Sequence, residues 1–145
     1  MQVRELMNPS VVSIDPTESV ALAARLIARH NVGALPVVGP DGGLRGILTD
    51  RDIVIRCIAP GEDPSKTKAA DIMTRSCSVT HPEEDARQAA RTMAGAQVRR
   101  LPVTEDFKVV GMVALGDLAR CHACDMEAGM ALSEISDHVK RIWEH

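Results

Sequence analysis

The chain has 145 residues, 45 % hydrophobic and 26 % charged, with a formal net charge of −3 and a pI near 5.9, enough for one ordinary domain or two small ones sharing a core. With no Tyr, one Phe (Phe107) and one Trp (Trp143), the core has to be built from Val, Ile, Leu, Met and Ala, and the ring-stacking platforms of single-strand nucleic-acid binders are missing. The acidic balance argues against a nucleic-acid surface, and no apolar run approaches the ~18–20 residues of a membrane span.

Met1-Gln2-Val3-Arg4-Glu5 lacks the apolar centre of a secretory signal. Cys57, Cys77, Cys121 and Cys124 do not form a secreted disulfide framework. A cytoplasmic chain with reduced thiols is therefore expected.

In chain order, a short helical lead-in ends at Met7, and an extended segment, Val11 to Ile14, closes on Asp15-Pro16. An amphipathic helix follows, with Ser19 as N-cap and Val20, Ala24, Ile27 and Ala28 on one face. Strands are predicted at Leu35–Val38 and Leu44–Leu48, joined by the turn Gly39-Pro40-Asp41-Gly42-Gly43. A second helix begins after Thr49, and Pro60 to Lys68 reads as an exposed linker.

The same plan then repeats. Met7 and Met73, Pro16 and Pro82, and Leu35-Pro36-Val37 and Leu101-Pro102-Val103 are each 66 positions apart. After one deleted loop residue the offset becomes 65, for Gly46 and Gly111 and for Asp52 and Asp117. The second copy predicts an extended segment Cys77 to Thr80, an N-cap at Asp85, and a helix burying Ala86, Ala90, Met93 and Ala94. Its strands are Leu101–Thr104 and Val109–Val113 across a Glu105-Asp106 turn, with a helix after Ala114. Each half is too small to bury its own sheet face, so two halves must pack together. The tail, 124–145, lies outside the repeat. From Ser133 it predicts an amphipathic helix with Leu132, Ile135, Val139 and Ile142 on one side and Trp143 flanking them. Such a helix docks on its own domain or serves a dimer contact.

The chemistry concentrates in Gly46-Ile47-Leu48-Thr49-Asp50-Arg51-Asp52 and its imperfect copy Gly111 to Asp117. A buried strand ending in a tight turn would set a hydroxyl, a carboxylate one helical turn later and free backbone N–H groups together, a place suited to a ribose diol and a phosphate. Thr49-x-x-Asp52 is equally a helix capping box. Arg99 and Arg100 face a cleft, form an ordinary solvated basic pair, or pair with Glu105 and Asp106; their place immediately before a buried Leu-Pro-Val strand favours the cleft. Cys121-His122-Ala123-Cys124 hints at metal binding, but no second Cys-x-x-Cys completes four ligands. Cys57 and Cys77 read as small buried hydrophobes, and His30 and His81 as helix-end residues. No nucleophile–base pair, Walker-type loop or His-rich metal motif marks an enzyme.

The doubled pattern of Met, Pro, helix, Leu-Pro-Val and Gly-aliphatic-aliphatic-(Thr)-x-x-Asp resembles a tandem cystathionine-β-synthase (CBS) domain pair, or Bateman module, of the stand-alone bacterial kind. The resemblance covers all but the tail. It implies an α+β fold: two CBS repeats, 1–60 and 69–123, packed with pseudo-two-fold symmetry, small mixed sheets flanked by helices, and a helical tail at 124–145. It also implies a non-enzymatic regulatory module, needing no cofactor, that binds an adenine nucleotide (AMP or ATP) or S-adenosylmethionine between the repeats. Such a module often forms a homodimer and here would act on a separate effector protein.

Carried onto this chain, the family pattern joins Thr49, Asp50 and Asp52 with Thr80, Val98, Arg99 and Arg100 in one cleft. The Asp would hold the sugar and the hydroxyl and arginines the phosphate. The other cleft would join Asp117 with Ile14, Val32, Gly33 and Ala34. There Ala114 replaces the hydroxyl residue and no basic residue precedes Leu35. Losing both phosphate partners costs on the order of 2–4 kcal/mol, given ~1.5–3 kcal/mol for a hydrogen bond to a charged group. One competent cleft is therefore expected. The alternative is a ligand-free structural or protein-interaction dimer.

Overall fold

The computed structural model describes residues 1–121 and 125–144, and in the last helix the side chains of 126–136. It divides into two compact units. One comprises Val11–Cys77 with Phe107–Val109, the other Met1–Ser10, Ser78–Asp106 and Val110–His145; they are called the first-repeat and second-repeat units below.

In the first-repeat unit, the Ser19 hydroxyl accepts the Leu22 N–H at 3.1 Å and so caps helix α1 (Val20–His30). Asn31 ends it at φ 51°, a left-handed position that Asn tolerates. The buried stripe runs through Val20 and Ala23, with Leu26 and Ile27 packed beside it. Ala24 and Ala28, expected on that face, are exposed; the stripe follows i, i+3 and i+7 and leaves them on its flank.

Strand β1 (Ala34–Val38) pairs antiparallel with β2 (Leu44–Thr49), setting Leu35 opposite Leu48 and Val37 opposite Gly46. Ile14 bridges Val37 in parallel on one side, and Thr74 bridges Ile47 antiparallel on the other, so the small sheet is mixed. Helix α2 (Asp50–Ile53) continues into a π-helical turn, Val54–Ile58. Leu35, Val37, Leu48 and Cys57 are wholly buried in the core.

The second-repeat unit reproduces this order. Asp85 caps α4 (Ala86–Ala96) through the Arg87 N–H at 2.9 Å, and Gln97 ends it at φ 59°. Ala86, Ala90 and Met93 are buried as the spacing predicts, together with Ala89, while Ala94 is half-buried. Strands β3 (Arg100–Glu105) and β4 (Lys108–Ala114) are neighbours in a two-stranded sheet. Their turn is Asp106-Phe107, one residue beyond the expected Glu105-Asp106, and both residues have positive φ, 51° and 68°. Two left-handed residues match the right-handed twist of a hairpin. Thr80 bridges Val103 in parallel and Asn8 bridges Met112 antiparallel. Helix α5 (Leu115–Leu118) follows β4.

The compact units exchange the lead-ins of the sequence repeats. The lead-in turn Val3–Glu5 belongs to the second-repeat unit, where the Val3 N–H donates to the Glu84 carbonyl and the Arg4 N–H to that of Pro82. Helix α3 (Ala69–Ile72) does the same in the first-repeat unit, with Ala69 donating to Glu18 and Ala70 to Pro16. Val3 and Ala69 are both wholly buried, so each lead-in is part of the core it joins.

Helix α6 (Asp125–Glu144) starts well before Ser133, the expected beginning, because Met126 to Leu132 contains no breaker stronger than Gly129. Ala128, Ala131 and Ile135 bury against the core that contains α4, and Glu127 pairs with Arg91 at 3.6 Å. Leu132, expected on the buried side, is 49 % exposed. The side chains of Val139, Ile142 and Trp143 lie outside those described, as do residues 122–124 of the Cys-His-Ala-Cys stretch. Cys121 is buried. Among the described residues, no group of three metal-ligating side chains is placed to hold an ion, and no helix is long and apolar enough to cross a membrane.

Candidate functional site

At the first-repeat turn, β2 delivers Thr49 to the start of α2. The Thr49 hydroxyl accepts the Asp52 N–H at 3.1 Å, and Asp52 Oδ2 accepts the Thr49 N–H at 3.0 Å. This is a closed capping box. The Asp52 side chain is only 13 % exposed, with its second oxygen 3.7 Å from Arg56 Nη1. Asp50 is exposed, and its carboxylate accepts the Arg51 N–H at 2.8 Å. The Asp50 N–H itself donates to the Gly33 carbonyl at 3.1 Å.

The backbone donors expected to stand free here are therefore engaged. Asp50 donates to Gly33, Arg51 to Asp50, and Asp52 to Thr49. Short side chains beside a helix start reach these N–H groups more cheaply than a ligand can.

At the second-repeat turn the same frame carries different side chains. The Leu115 N–H donates to the Arg99 carbonyl at 2.8 Å, the counterpart of Asp50 to Gly33. Asp117 Oδ2 accepts the Ala114 N–H at 2.8 Å, and Oδ1 accepts from Arg120 Nη2 at 2.9 Å. Its side chain is 28 % exposed. Ala114 has no hydroxyl, so only half of the box exists.

Thr80 is wholly buried. Its N–H donates to Pro102, its carbonyl accepts from Thr104, and its hydroxyl donates to Glu84 Oε1 at 3.0 Å. All of its polar groups hold the sheet and the helix entry together.

Val98, Arg99 and Arg100 are exposed, and Arg100 opens β3. Among the described residues neither guanidinium has a hydrogen bond or ion pair, so the pairing with Glu105 or Asp106 does not form. Both arginines line a cavity of about 650 Å³ inside the second-repeat unit. Its other walls are Ala114, Leu115, Gly116 and Ala119 from the turn and α5, and Ala128, Gly129 and Leu132 from α6. Among the expected site residues, the structure thus sets Arg99 and Arg100 beside the turn of their own repeat. Thr49, Asp50 and Asp52 belong to the other unit.

The α6 wall is the part the sequence did not announce. Its one signal is Gly129 beside Ala128 in an amphipathic helix, a place where glycine weakens helix formation.

A helix capped by a reaching-back carboxylate, after a two-stranded sheet that a borrowed lead-in extends, occurs twice in one chain. That defines a tandem-repeat α+β module. The family model for the CBS domain matches residues 3–58 and again 69–123, and the chain belongs to the CBS-domain family. It is 40 % identical to the CBS domain-containing protein YhcV of Bacillus subtilis, over 92 % of this chain and 94 % of that one. Among solved structures it is similar to Hypoxic Response Protein I with two coordinated zinc ions (TM-score 0.78, 35 % identity, 83 % of this chain and 98 % of that one). It is also similar to the CBS domain pair of protein MJ0100 in complex with 5′-methylthioadenosine and S-adenosyl-L-methionine (TM-score 0.76, 28 % identity, 86 % and 98 %).

Proposed function

We propose that this CBS pair is a non-enzymatic regulatory module for an adenine nucleotide of AMP type, acting as a homodimer on a separate effector protein. The observation that carries the reading is a pair of guanidiniums, without a partner among the described residues, on a largely aliphatic cavity. Arg99 and Arg100 suit a phosphate, since each offers charge-assisted donors in a planar fork. Ala114, Leu115 and Leu132 offer apolar surface to a base, in a chain without aromatic platforms. A CBS pair of similar fold holds two adenine-containing ligands, S-adenosylmethionine and methylthioadenosine, which supports this ligand class. The three described cysteines are free thiols, which fits a cytoplasmic setting.

A second reading has its own observation. Val54, Ile55 and Ile58 expose three apolar side chains on the π-helical turn, a surface suited to a second copy. On that reading the chain is a ligand-free structural dimer.

Thermal-shift and calorimetric titrations with AMP, ATP and S-adenosylmethionine separate the two. A ligand at a hundredfold excess over Kd stabilises by ~2.7 kcal/mol. Joint Arg99→Ala and Arg100→Ala replacement should lower AMP affinity at least tenfold while leaving the ligand-free melting curve in place. Flat curves with all three ligands would refute the sensing function.

A further inference from the structure

We propose that helix α6 is the outer wall of the nucleotide pocket, so that the C-terminal tail itself holds the ligand and its docking reports occupancy. This rests on the nucleotide-binding reading above and adds a second role for a segment outside the repeats.

Three observations converge. First, α6 supplies Ala128, Gly129 and Leu132 to the cavity that Arg99 and Arg100 line, and the turn Ala114 to Gly116 supplies the opposing surface. Its about 650 Å³ falls within the ~300–1,000 Å³ of small-molecule sites.

Second, a cavity-lining glycine stands on each side. A Cβ built at Gly129 or at Gly116 meets nothing within 4 Å. The protein's own packing therefore does not require glycine at either place, although glycine is unfavourable in a helix. Both glycines line the cavity and have open space beside them.

Third, the wall is held by contacts that leave the cavity side free. Ala128, Ala131 and Ile135 are buried in the core, and Glu127 pairs with Arg91, whereas Leu132 stays half-exposed. A nucleoside monophosphate meets these features together. Its phosphate takes the guanidiniums and its base lies against Leu115 and Leu132. The gain from covering Leu132 is then available only when α6 is docked, which links ligand binding to the position of the tail.

The test is Gly129→Leu, with Gly116→Leu as the variant on the opposite wall. Leucine is the better helix former and has room, so Gly129→Leu should raise the ligand-free melting temperature. The same side chain fills the pocket, so calorimetry with AMP should show affinity reduced at least tenfold in both variants. In the wild type, saturating AMP should slow amide hydrogen exchange across 128–132. AMP binding to both leucine variants as tightly as to wild type, with unchanged exchange in α6, would overturn the proposal and leave the sensing function standing. Absence of binding by wild type to AMP, ATP and S-adenosylmethionine would refute the sensing function, and this inference with it.

Discussion

Gly46→Ala and Gly111→Ala are the same substitution at equivalent positions of the two repeats, and the structure separates their costs. A Cβ at Gly46 would sit 2.6 Å from the Thr74 carbonyl oxygen and 2.9 Å from Met73 Sδ. At Gly111 the first obstacle is Met7 Sδ at 2.7 Å, and the backbone oxygen of Asn8 lies farther off, at 3.2 Å. A thioether can rotate away; a backbone carbonyl cannot. Relief at Gly46 has to push Thr74 off the sheet and strain the two 2.9 Å hydrogen bonds it exchanges with Ile47.

Overpacking costs ~1–3 kcal/mol, each weakened hydrogen bond ~1 kcal/mol, and the stiffer unfolded chain returns ~0.4–1 kcal/mol. Gly46→Ala should therefore destabilise by ~2–4 kcal/mol and Gly111→Ala by ~1–2 kcal/mol. Urea titrations followed by far-UV circular dichroism read this as two shifts in midpoint at constant slope, the first the larger. Equal shifts, or a larger one for Gly111→Ala, would refute the claim that the lead-in backbone is what requires glycine there.

Four further outcomes are expected. Asp52→Ala opens the capping box and should cost ~1 kcal/mol of stability, read as a lower urea midpoint at constant slope. Phe107→Gly should stabilise by ~1 kcal/mol, since Phe107 is 89 % exposed and sits at φ 68°, where a Cβ is disfavoured; an unchanged urea midpoint would count against that turn geometry. Asp85 is lowered from 3.8 to about 2 by hydrogen bonds from the Arg87 side chain and backbone N–H. Its stabilisation is complete above the unfolded value and disappears as pH falls through about 2, so melting curves of Asp85→Asn and wild type should converge between about pH 4 and pH 2. Thr80→Val removes the buried bond to Glu84 and should cost ~1 kcal/mol without changing AMP affinity; a selective loss of affinity would return Thr80 to the site.

The periodic and duplicated features were readable from the chain alone. Both N-caps, both hairpins and the order of elements follow from spacing, because a capping hydroxyl or a buried Leu-Pro-Val strand acts over a few residues. The α1 face was set one position off because Ala23 and Ala24 are the same residue, and hydrophobicity alone cannot choose between them. Exchange of the lead-ins was hidden for a different reason. Nothing in Val3 or Ala69 states which copy of an identical groove it will enter, since the two copies offer the same carbonyls at Glu18 and Glu84, and at Pro16 and Pro82. The cavity was hidden in the same way: Arg99 and Arg100 were visible as a basic pair, but the α6 residues that wall them are small and distant in sequence.

The repeated frame also explains where specificity can vary. Asp52 and Asp117 perform the same act in both copies, each accepting the N–H of the residue three before it. Gly33 and Arg99 likewise perform one act through their carbonyls, accepting from Asp50 and Leu115. Because the backbone does this work, the side chains at those carbonyl positions are released from it. One copy carries Gly33-Ala34 beside a hydroxyl at Thr49, and the other carries Arg99-Arg100 beside Ala114. A carboxylate that appears in both copies is thus better evidence of scaffold than of chemistry. The residues that differ between the two turns, with guanidiniums that have no partner among the described residues, are where ligand recognition is to be sought.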